Sequence, residues 1–520
     1  MIFIGFLSRP SHAAEGQNTP LATREVQPVV KAFIKKIVFI GNSVVSTADL
    51  NKLVAPYENT QLSYEDAVAI AKKITDEYHQ RGYFIALAYV NHQKIHNGVL
   101  RINVIEGRIG KVIVKGNHVY STKYILYLFR PAILGGVLHY ETLQKQIMIL
   151  NESSDFQVAV TLQPGEVAET TDVILNVTDS APSHIDGDFN NFGSRTGGQH
   201  QPSLTFTFGN FLKEGAVLTM QPLWPYPNSS TDFKHPIFST TYSIPVNNHG
   251  TLLTAGYSSA DVRLGSELDV LNVVGNTNIT NIGLTQDLSR TDSHSSNFMA
   301  NFYIKSAHNS ILDQPTSRDV LREFAVTYNI NWVSGSGSNL YDCTFMKGLG
   351  TLFNGEANDD PLSSVPGAGN DFSKINMDLY RFQSLGSGIL AIFRASGQYA
   401  FAPLTQPEQY LAGGSESVRG YRPAEIVGDT GWNGTLEFRI PAFTKPKSSL
   451  QFELFSDMAS AYTRLTPGAT KSLWGGGFGF RYSSGDATAI RLELGFPLTP
   501  FENSTMEKPV LYADFSTRFY

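Results

Sequence analysis

Cysteine is almost absent from this 520-residue chain: Cys343 stands alone, which excludes any disulfide within it. In an alternating apolar segment, Cys343 reads as a small strand residue. Charge is scarce as well. Asp, Glu, Lys and Arg make up 17%, below the share usual for soluble globular domains. The net charge of −6 gives no basic excess to attract nucleic acid, and none is expected as a partner. No apolar run approaches the ~18 residues of a membrane-crossing helix. A chain of this kind enters a membrane only as strands. There is no Gly-Lys-Ser/Thr phosphate loop, so no nucleotide is expected, and no Gly-x-Ser-x-Gly elbow. The pair His92 and His96 in "HQKIH" has a ligand-like spacing but lies between two strand segments, where a surface turn is the expected reading. The chain is not read as an enzyme, and no cofactor or metal is expected.

What the chain does have is aromatic residues and glycine: 33 Phe, 23 Tyr and 45 Gly. Its length calls for two or more domains. The opening "MIFIGFLSRPSHAAEG" pairs a short apolar run with small residues, as at the end of a secretory signal peptide. This assigns residues 1–14 as signal peptide and 15–34, with Pro20 and Pro28, as a linker.

Residues 35–181 repeat themselves. "IVFIGNSVVST" at 37–47 returns as "VIVKGNHVYST" at 112–122, and Tyr64-Glu65 returns as Tyr140-Glu141. In each copy a β-branched strand meets a Gly-Asn turn, and a Ser-Thr pair suited to a helix start follows. In the first copy Ala67, Ala71, Ile74 and Tyr78 line one helical face. Each copy closes on strands, "LRINVIEG" (100–107) and "VILNVTDS" (173–180). The expectation is two β-α-α-β-β domains, 35–107 and 108–181.

From residue 182 onward alternation is strict. In "REFAVTYNINW", Phe324, Val326, Tyr328, Ile330 and Trp332 oppose Ala325, Thr327, Asn329 and Asn331. "GTLEFRIP" and "AIRLELGF" set Leu436, Phe438, Ile440, Ile490, Leu492 and Leu494 against Glu437, Arg439, Arg491 and Glu493. Sixteen such segments fit, among them 278–291, 296–307 and 322–334. An even number of long strands with one apolar face predicts an antiparallel transmembrane barrel. Lipid then meets the apolar face, and a watery lumen tolerates the charges opposite.

One gap interrupts the pattern. Residues 401–431 hold no alternating strand, yet they are not low-complexity: Gly413-Gly414 and Val418-Arg419-Gly420-Tyr421 sit in "GGSESVRGYRP". Paired glycines suit a folded hairpin. A buried arginine on such a loop needs a partner. In "LQFELFSDMAS", Leu450, Phe452, Leu454 and Met458 face one way; Gln451, Glu453, Phe455 and Asp457 face the other. A loop folded into the lumen could therefore bring Arg419 to Asp457.

Two repeats of this type before a sixteen-strand barrel, with Val-Arg-Gly-Tyr in a long loop and "FSDMA" two strands on, resemble the two-partner secretion transporters, the haemolysin secretion/activation (TpsB) branch of the superfamily that includes the barrel-assembly insertases. The repeats are similar to POTRA domains, and "VIEGRIG" (104–110) at their junction is typical of this branch. The resemblance implies two periplasmic POTRA domains and a barrel at 182–520 with a lid loop at 401–431. It makes Arg419, with Gly413, Gly414, Val418, Gly420 and Tyr421, the lid motif, and Asp457 with Phe455 its lumen partner. It implies export of an unfolded secreted exoprotein across the bacterial outer membrane, and barrel insertion by the barrel-assembly machinery. Two features depart from the family pattern: Ala459 replaces a glycine of the wall motif, and Tyr520 extends one residue beyond the aromatic expected to end the chain. The alternatives are a barrel-assembly insertase and a passive porin or receptor.

Overall fold

The fold is taken from a computed structural model, which describes residues 30–519 apart from 134–135, 153–154, 227–235, 466–469, 486 and 501–507. Residues 1–14, Tyr520 and most of the 15–34 segment lie outside the described residues. The chain forms two compact units, divided between Ser180 and Ala181.

The first unit contains both repeats. The first comprises β1 (Ala32–Ile34), β2 (Lys36–Ile40), α1 (Thr47–Val54), β3 (Thr60–Leu62), α2 (Tyr64–Gln80), β4 (Leu87–Tyr89) and β5 (Val99–Ile105). The second comprises β6 (Arg108–Lys115), α3 (Thr122–Ile133), α4 (Tyr140–Leu150), β7 (Phe156–Pro164) and β8 (Thr170–Asp179). The sheets run β2-β5-β4 and β6-β8-β7, with the outer pair β2–β5 or β6–β8 parallel. Both copies thus have the β-α-α-β-β order. The first adds a hairpin, β1 against β3; among the described residues the second keeps only a single antiparallel bridge there, Arg108 with Val137. Among the described residues the first strand therefore starts at Ala32, within the segment read as linker; sequence repetition could not reveal a hairpin that the other copy reduces to one bridge.

The helices form where the sequence caps them. Ser46 accepts the Asp49 N–H, and Ser63 with Asp66 forms a reciprocal capping box at the start of α2. Ala67, Ile70, Ala71, Ile74 and Tyr78 of α2 are buried against Ile37, Leu100 and Ile102 of the sheet. Ile125, Phe129, Val173 and Leu175 centre the second core.

The repeated Gly-Asn turn has one job in both copies. Gly41 and Gly116 sit at φ +93° and +86°, and a Cβ there would strike the carbonyl oxygen of Val104 or Val177 at 2.3 and 2.4 Å. Asn42 then donates to the carbonyl of Val45, and Asn117 to that of Tyr120. The exposed backbone amides of each turn go to a carboxylate from the closing strand. Glu106 accepts from the N–H of Ser43 (2.6 Å) and Val44 (2.9 Å), from the Ser43 hydroxyl and from the Tyr78 hydroxyl (2.9 Å). Asp179 accepts from the N–H of His118, Val119 and Tyr120, each at 2.9 Å. Burial raises the pKa of Glu106, but these hydrogen bonds outweigh it and hold the carboxyl below its ordinary value. Burial, then the bond to Glu106, drives the Tyr78 hydroxyl up.

The second unit is the barrel. Its strands are β9 (Ser183–Asn190), β10 (Gln201–Gly209), β11 (Val217–Leu223), β12 (Ile237–Pro245), β13 (Thr251–Arg263), β14 (Val274–Arg290), β15 (His294–Ile311), β16 (Gln314–Ser334), β17 (Gly337–Gly348), β18 (Ser373–Gly386) and β19 (Ile389–Ala400). Two short strands follow, β20 (Tyr410–Ala412) and β21 (Ile426–Gly428). Then come β22 (Thr430–Lys445), β23 (Ser448–Tyr462), β24 (Lys471–Ser484), β25 (Thr488–Pro497) and β26 (Val510–Arg518). Among the described residues, the sixteen strands other than β20 and β21 pair antiparallel with their neighbours, and β26 pairs with β9 to close the barrel. The chain crosses in strands, and no described helix is long and apolar enough to cross.

The alternation places its faces as the sequence suggests. Phe480, 47% exposed, and Leu454, 43% exposed, point outward, whereas Glu437 and Glu453 are fully buried within. One end carries short connections, such as 291–293, 335–336, 387–388 and 446–447; the other carries 349–372 and 401–429. β14, β15 and β16 run longer than their alternating segments, starting at Val274, ending at Ile311 and starting at Gln314. Alternation ends where apolar surroundings end, since nothing there demands one apolar face. Backbone pairing continues beyond that point.

Candidate functional site

The loop between β19 and β22 folds into the lumen. It is not structureless: β20 and β21 pair as a small hairpin, and β22 already begins at Thr430, inside the segment read as loop. The hairpin is too short to show as alternation. At its base Asp429 accepts from the N–H of Leu404 (2.9 Å) and Arg464 (2.6 Å). Above it Gly413 and Gly414 take φ +117° and +89°, and Gly413 donates to the Ser417 hydroxyl at 2.7 Å. The chain thereby reverses and presents Val418 to Tyr421 to the wall.

Arg419 is 2% exposed. Its Nε and Nη2 donate to the two oxygens of Asp457 at 2.8 and 2.9 Å, and its own backbone N–H donates to Asp457 at 3.1 Å. This is the two-pronged arginine–carboxylate geometry, the strongest form of such a pair. The guanidinium lies 3.4 Å over the ring centre of Phe455, a cation–π stack that fills the space beneath it. Its Nη1 donates to Glu437 at 3.2 Å and approaches Glu493 at 3.4 Å. The structure therefore brings Arg419, Asp457 and Phe455 together.

Tyr512, Trp474, Thr499, Gly475 and Gly495 complete the site without having been singled out from the sequence. Gly420 donates its N–H to the Tyr512 hydroxyl, which in turn donates to the Tyr421 carbonyl, both at 3.1 Å. The Tyr421 hydroxyl reaches the carbonyls of Trp474 (2.9 Å) and Thr499 (2.7 Å). Glycines on the wall make room: a Cβ on Gly475 would lie 2.1 Å from the Arg419 carbonyl oxygen, and one on Gly495 2.6 Å from the Gly420 nitrogen. Ala459 is 2% exposed and packs with Val418, Tyr421, Ile426 and Leu473. β23 keeps its register through it on both sides, so the departure from glycine leaves the strand regular and adds a methyl to the surface on which the loop packs.

A ring of ion pairs surrounds the arginine. Glu437 also receives Arg439 (2.7 Å) and Arg394 (3.3 Å). Arg481 reaches Glu453 and, at 3.0 Å, Glu493. The sequence did carry a signal for this ring: Glu437, Glu453 and Glu493 all fall on lumen-facing positions of neighbouring strands. Only the strand register places them around one point.

A closed barrel with an inward-folded loop clamped to its wall, preceded by two small α+β repeats, defines an outer-membrane transporter of the POTRA–barrel class. The family model for haemolysin secretion/activation proteins ShlB/FhaC/HecB matches residues 169–482, more than half of the chain. A POTRA domain of the ShlB type matches residues 32–107. The chain belongs to this family: it is a two-partner secretion transporter of the outer membrane, with its POTRA domains in the periplasm.

Among similar proteins, the outer membrane transporter CdiB of Escherichia coli O6:K15:H31 is 24% identical over 89% of this chain and 79% of its own. The heme/hemopexin transporter protein HuxB of Haemophilus influenzae is 21% identical over 80% and 73%. The solved structure of CdiB from Escherichia coli shares the fold with a TM-score of 0.82 at 22% identity, covering 96% of this chain and 93% of that one. BamA from Haemophilus ducreyi lacking POTRA domains 1-3 aligns at 0.53 and 14% identity, covering 94% and 100%.

Proposed function

We propose that the loop at 401–429 is a lid that holds the lumen shut, and that the Arg419–Asp457 pair is what retains it. The carrying observation is the two-pronged, fully desolvated pair between a loop arginine and a wall carboxylate. Gly413, Gly414, Val418, Gly420 and Tyr421 shape and seat the loop, and Phe455 supports the guanidinium. The client is an unfolded secreted exoprotein. It is captured in the periplasm by strand addition to a sheet edge of the POTRA domains, for which β7, nine residues long at the edge of its sheet, is suited. It then passes the displaced lid. The chain acts on no substrate chemically, uses no nucleotide or nucleic acid, and meets lipid through its apolar outer face. Insertion into the membrane falls to the barrel-assembly machinery.

The test is a four-member cycle: native chain, Arg419→Ala, Asp457→Ala and the double variant, scored by client secretion and by protease access to the loop. Breaking a buried pair from one side costs ~3–5 kcal/mol because the other charge is stranded. Each single variant should therefore impair secretion and expose the loop while the barrel still assembles, and the double variant should add little. Additive losses would show that the two residues do not work as a pair.

A further inference from the structure

Besides Arg419 and Asp429, which accepts backbone amides at the hairpin's base, the lid loop buries one more charged residue. It is Glu408, in the turn 406–408 that precedes β20. It is 2% exposed and reaches strands that Arg419 does not touch. One carboxylate oxygen meets Lys305 of β15 at 2.5 Å, and the other meets Lys374 of β18 at 2.8 Å. Lys374 also donates to the Glu408 carbonyl at 2.9 Å, as does Gln398 of β19. No feature of the Val-Arg-Gly-Tyr motif accounts for this cluster.

We infer that Glu408 is a second latch, which positions the base of the lid independently of the Arg419 tip and is built to open reversibly. This rests on the reading of the loop as a lid. The argument is what each latch leaves behind. Withdrawing Arg419 strips Asp457 of its three hydrogen bonds from that residue, and no other partner of Asp457 is recorded among the described residues. A buried carboxylate is stranded, which is costly. Withdrawing Glu408 strands less. Lys305 already has Glu323 of β16 at 2.8 Å, and Lys374 already donates to the Gln398 side-chain oxygen at 3.1 Å.

The wall beneath the base is thus prepared for the carboxylate to leave, whereas the wall beneath the tip is not. The two latches also bind different strands: β15 and β18 for the base, β22 and β23 for the tip, with Glu493 of β25 close by. A client that has shifted the base has therefore not yet paid the larger cost at the tip.

Two cysteine reporters separate the latches. In a Cys343→Ser background, Thr405→Cys reports the base and Ser415→Cys the tip; both positions are buried. Maleimide labelling is measured on the intact protein in outer-membrane vesicles, with heat-modifiable migration as the check of folding. Glu408→Gln keeps the side-chain volume and the backbone bonds but removes the charge. It should speed labelling of Thr405→Cys by about tenfold, the factor that ~1.4 kcal/mol gives, and leave Ser415→Cys within about twofold. Lys374→Gln, which removes a wall partner, should act in the same direction. The charge exchange Glu408→Lys with Lys374→Glu should restore part of the protection. Unchanged labelling of Thr405→Cys in both Glu408→Gln and Lys374→Gln would overturn the second latch, and so would equal acceleration at both reporters. Failure of the lid reading looks different: Arg419→Ala would speed labelling of Ser415→Cys with no change in secretion.

Discussion

The two units bury opposite things. In the POTRA unit Ile37, Ile74 and Ile102 are inside and most charged side chains face water. In the barrel Phe478 and Leu492 face outward while Arg419, Glu437 and Asp457 are inside. The sign of the hydrophobic pattern follows the surrounding medium, which is water for one unit and lipid for the other. The buried carboxylates differ in the same way. Glu106 is held by neutral donors on its own scaffold: backbone amides and two hydroxyls. Asp457 depends on a cation carried in on a loop. The first arrangement lies within one small domain; the second joins a loop to a wall strand.

The largest effect expected from this contrast is modular. Deleting residues 32–107 removes a domain whose sheet pairs only within itself and which shares no strand with the barrel, so client export should be abolished while the barrel still migrates as a heat-modifiable species. Export surviving the deletion would place client capture elsewhere.

The next effect is steric and confined to the barrel. Gly475→Ala puts a methyl 2.1 Å from the Arg419 carbonyl and changes no charge. Secretion should fall about as far as in Arg419→Ala, with barrel assembly intact. A variant that secretes normally would show that the tip tolerates displacement.

The smallest effects belong to the turn carboxylates. Glu106→Ala strands the buried Tyr78 hydroxyl and two part-buried amides, at about 2–3 kcal/mol. Asp179→Ala should cost less, roughly 1 kcal/mol, because water reaches the amides that it caps. Hydrogen exchange of the 41–47 and 116–122 turns in the full-length protein measures both, and equal losses would remove the distinction between them. The pH dependence has a definite sign. The Glu106 carboxyl lies below its ordinary 4.5 when folded. Its contribution is therefore complete above pH 4.5 and is lost as pH falls through the lower, folded-state value. Protection of the 41–47 turn should decline only on acidification below 4.5, and Glu106→Gln should flatten that decline.

Much of this molecule was legible in one dimension. The 75-residue repeat, its Gly-Asn turns and its helix starts are local, because turn geometry and capping involve residues only a few positions apart. All sixteen barrel strands appear as alternation, since lipid on one face imposes a period of two on each strand separately. Arg419 and Asp457 could be paired because one sits on a glycine-braced loop and the other on a lumen-facing strand position. Tertiary structure alone decided the rest. The β1–β3 hairpin shrinks to a single bridge in the second copy and so left no visible repeat. The strand extensions beyond the apolar belt have pairing but no face to mark. Glu106 and Asp179 lie some sixty residues from the turns they cap. The ring of Glu437, Glu453 and Glu493, the hollow made by Gly475 and Gly495, and the Glu408 contacts with Lys305 and Lys374 depend on register between strands and on where a long loop comes to rest. Those are long-range choices, set by which charges can be neutralised at one point in a shared lumen, and no single segment encodes them.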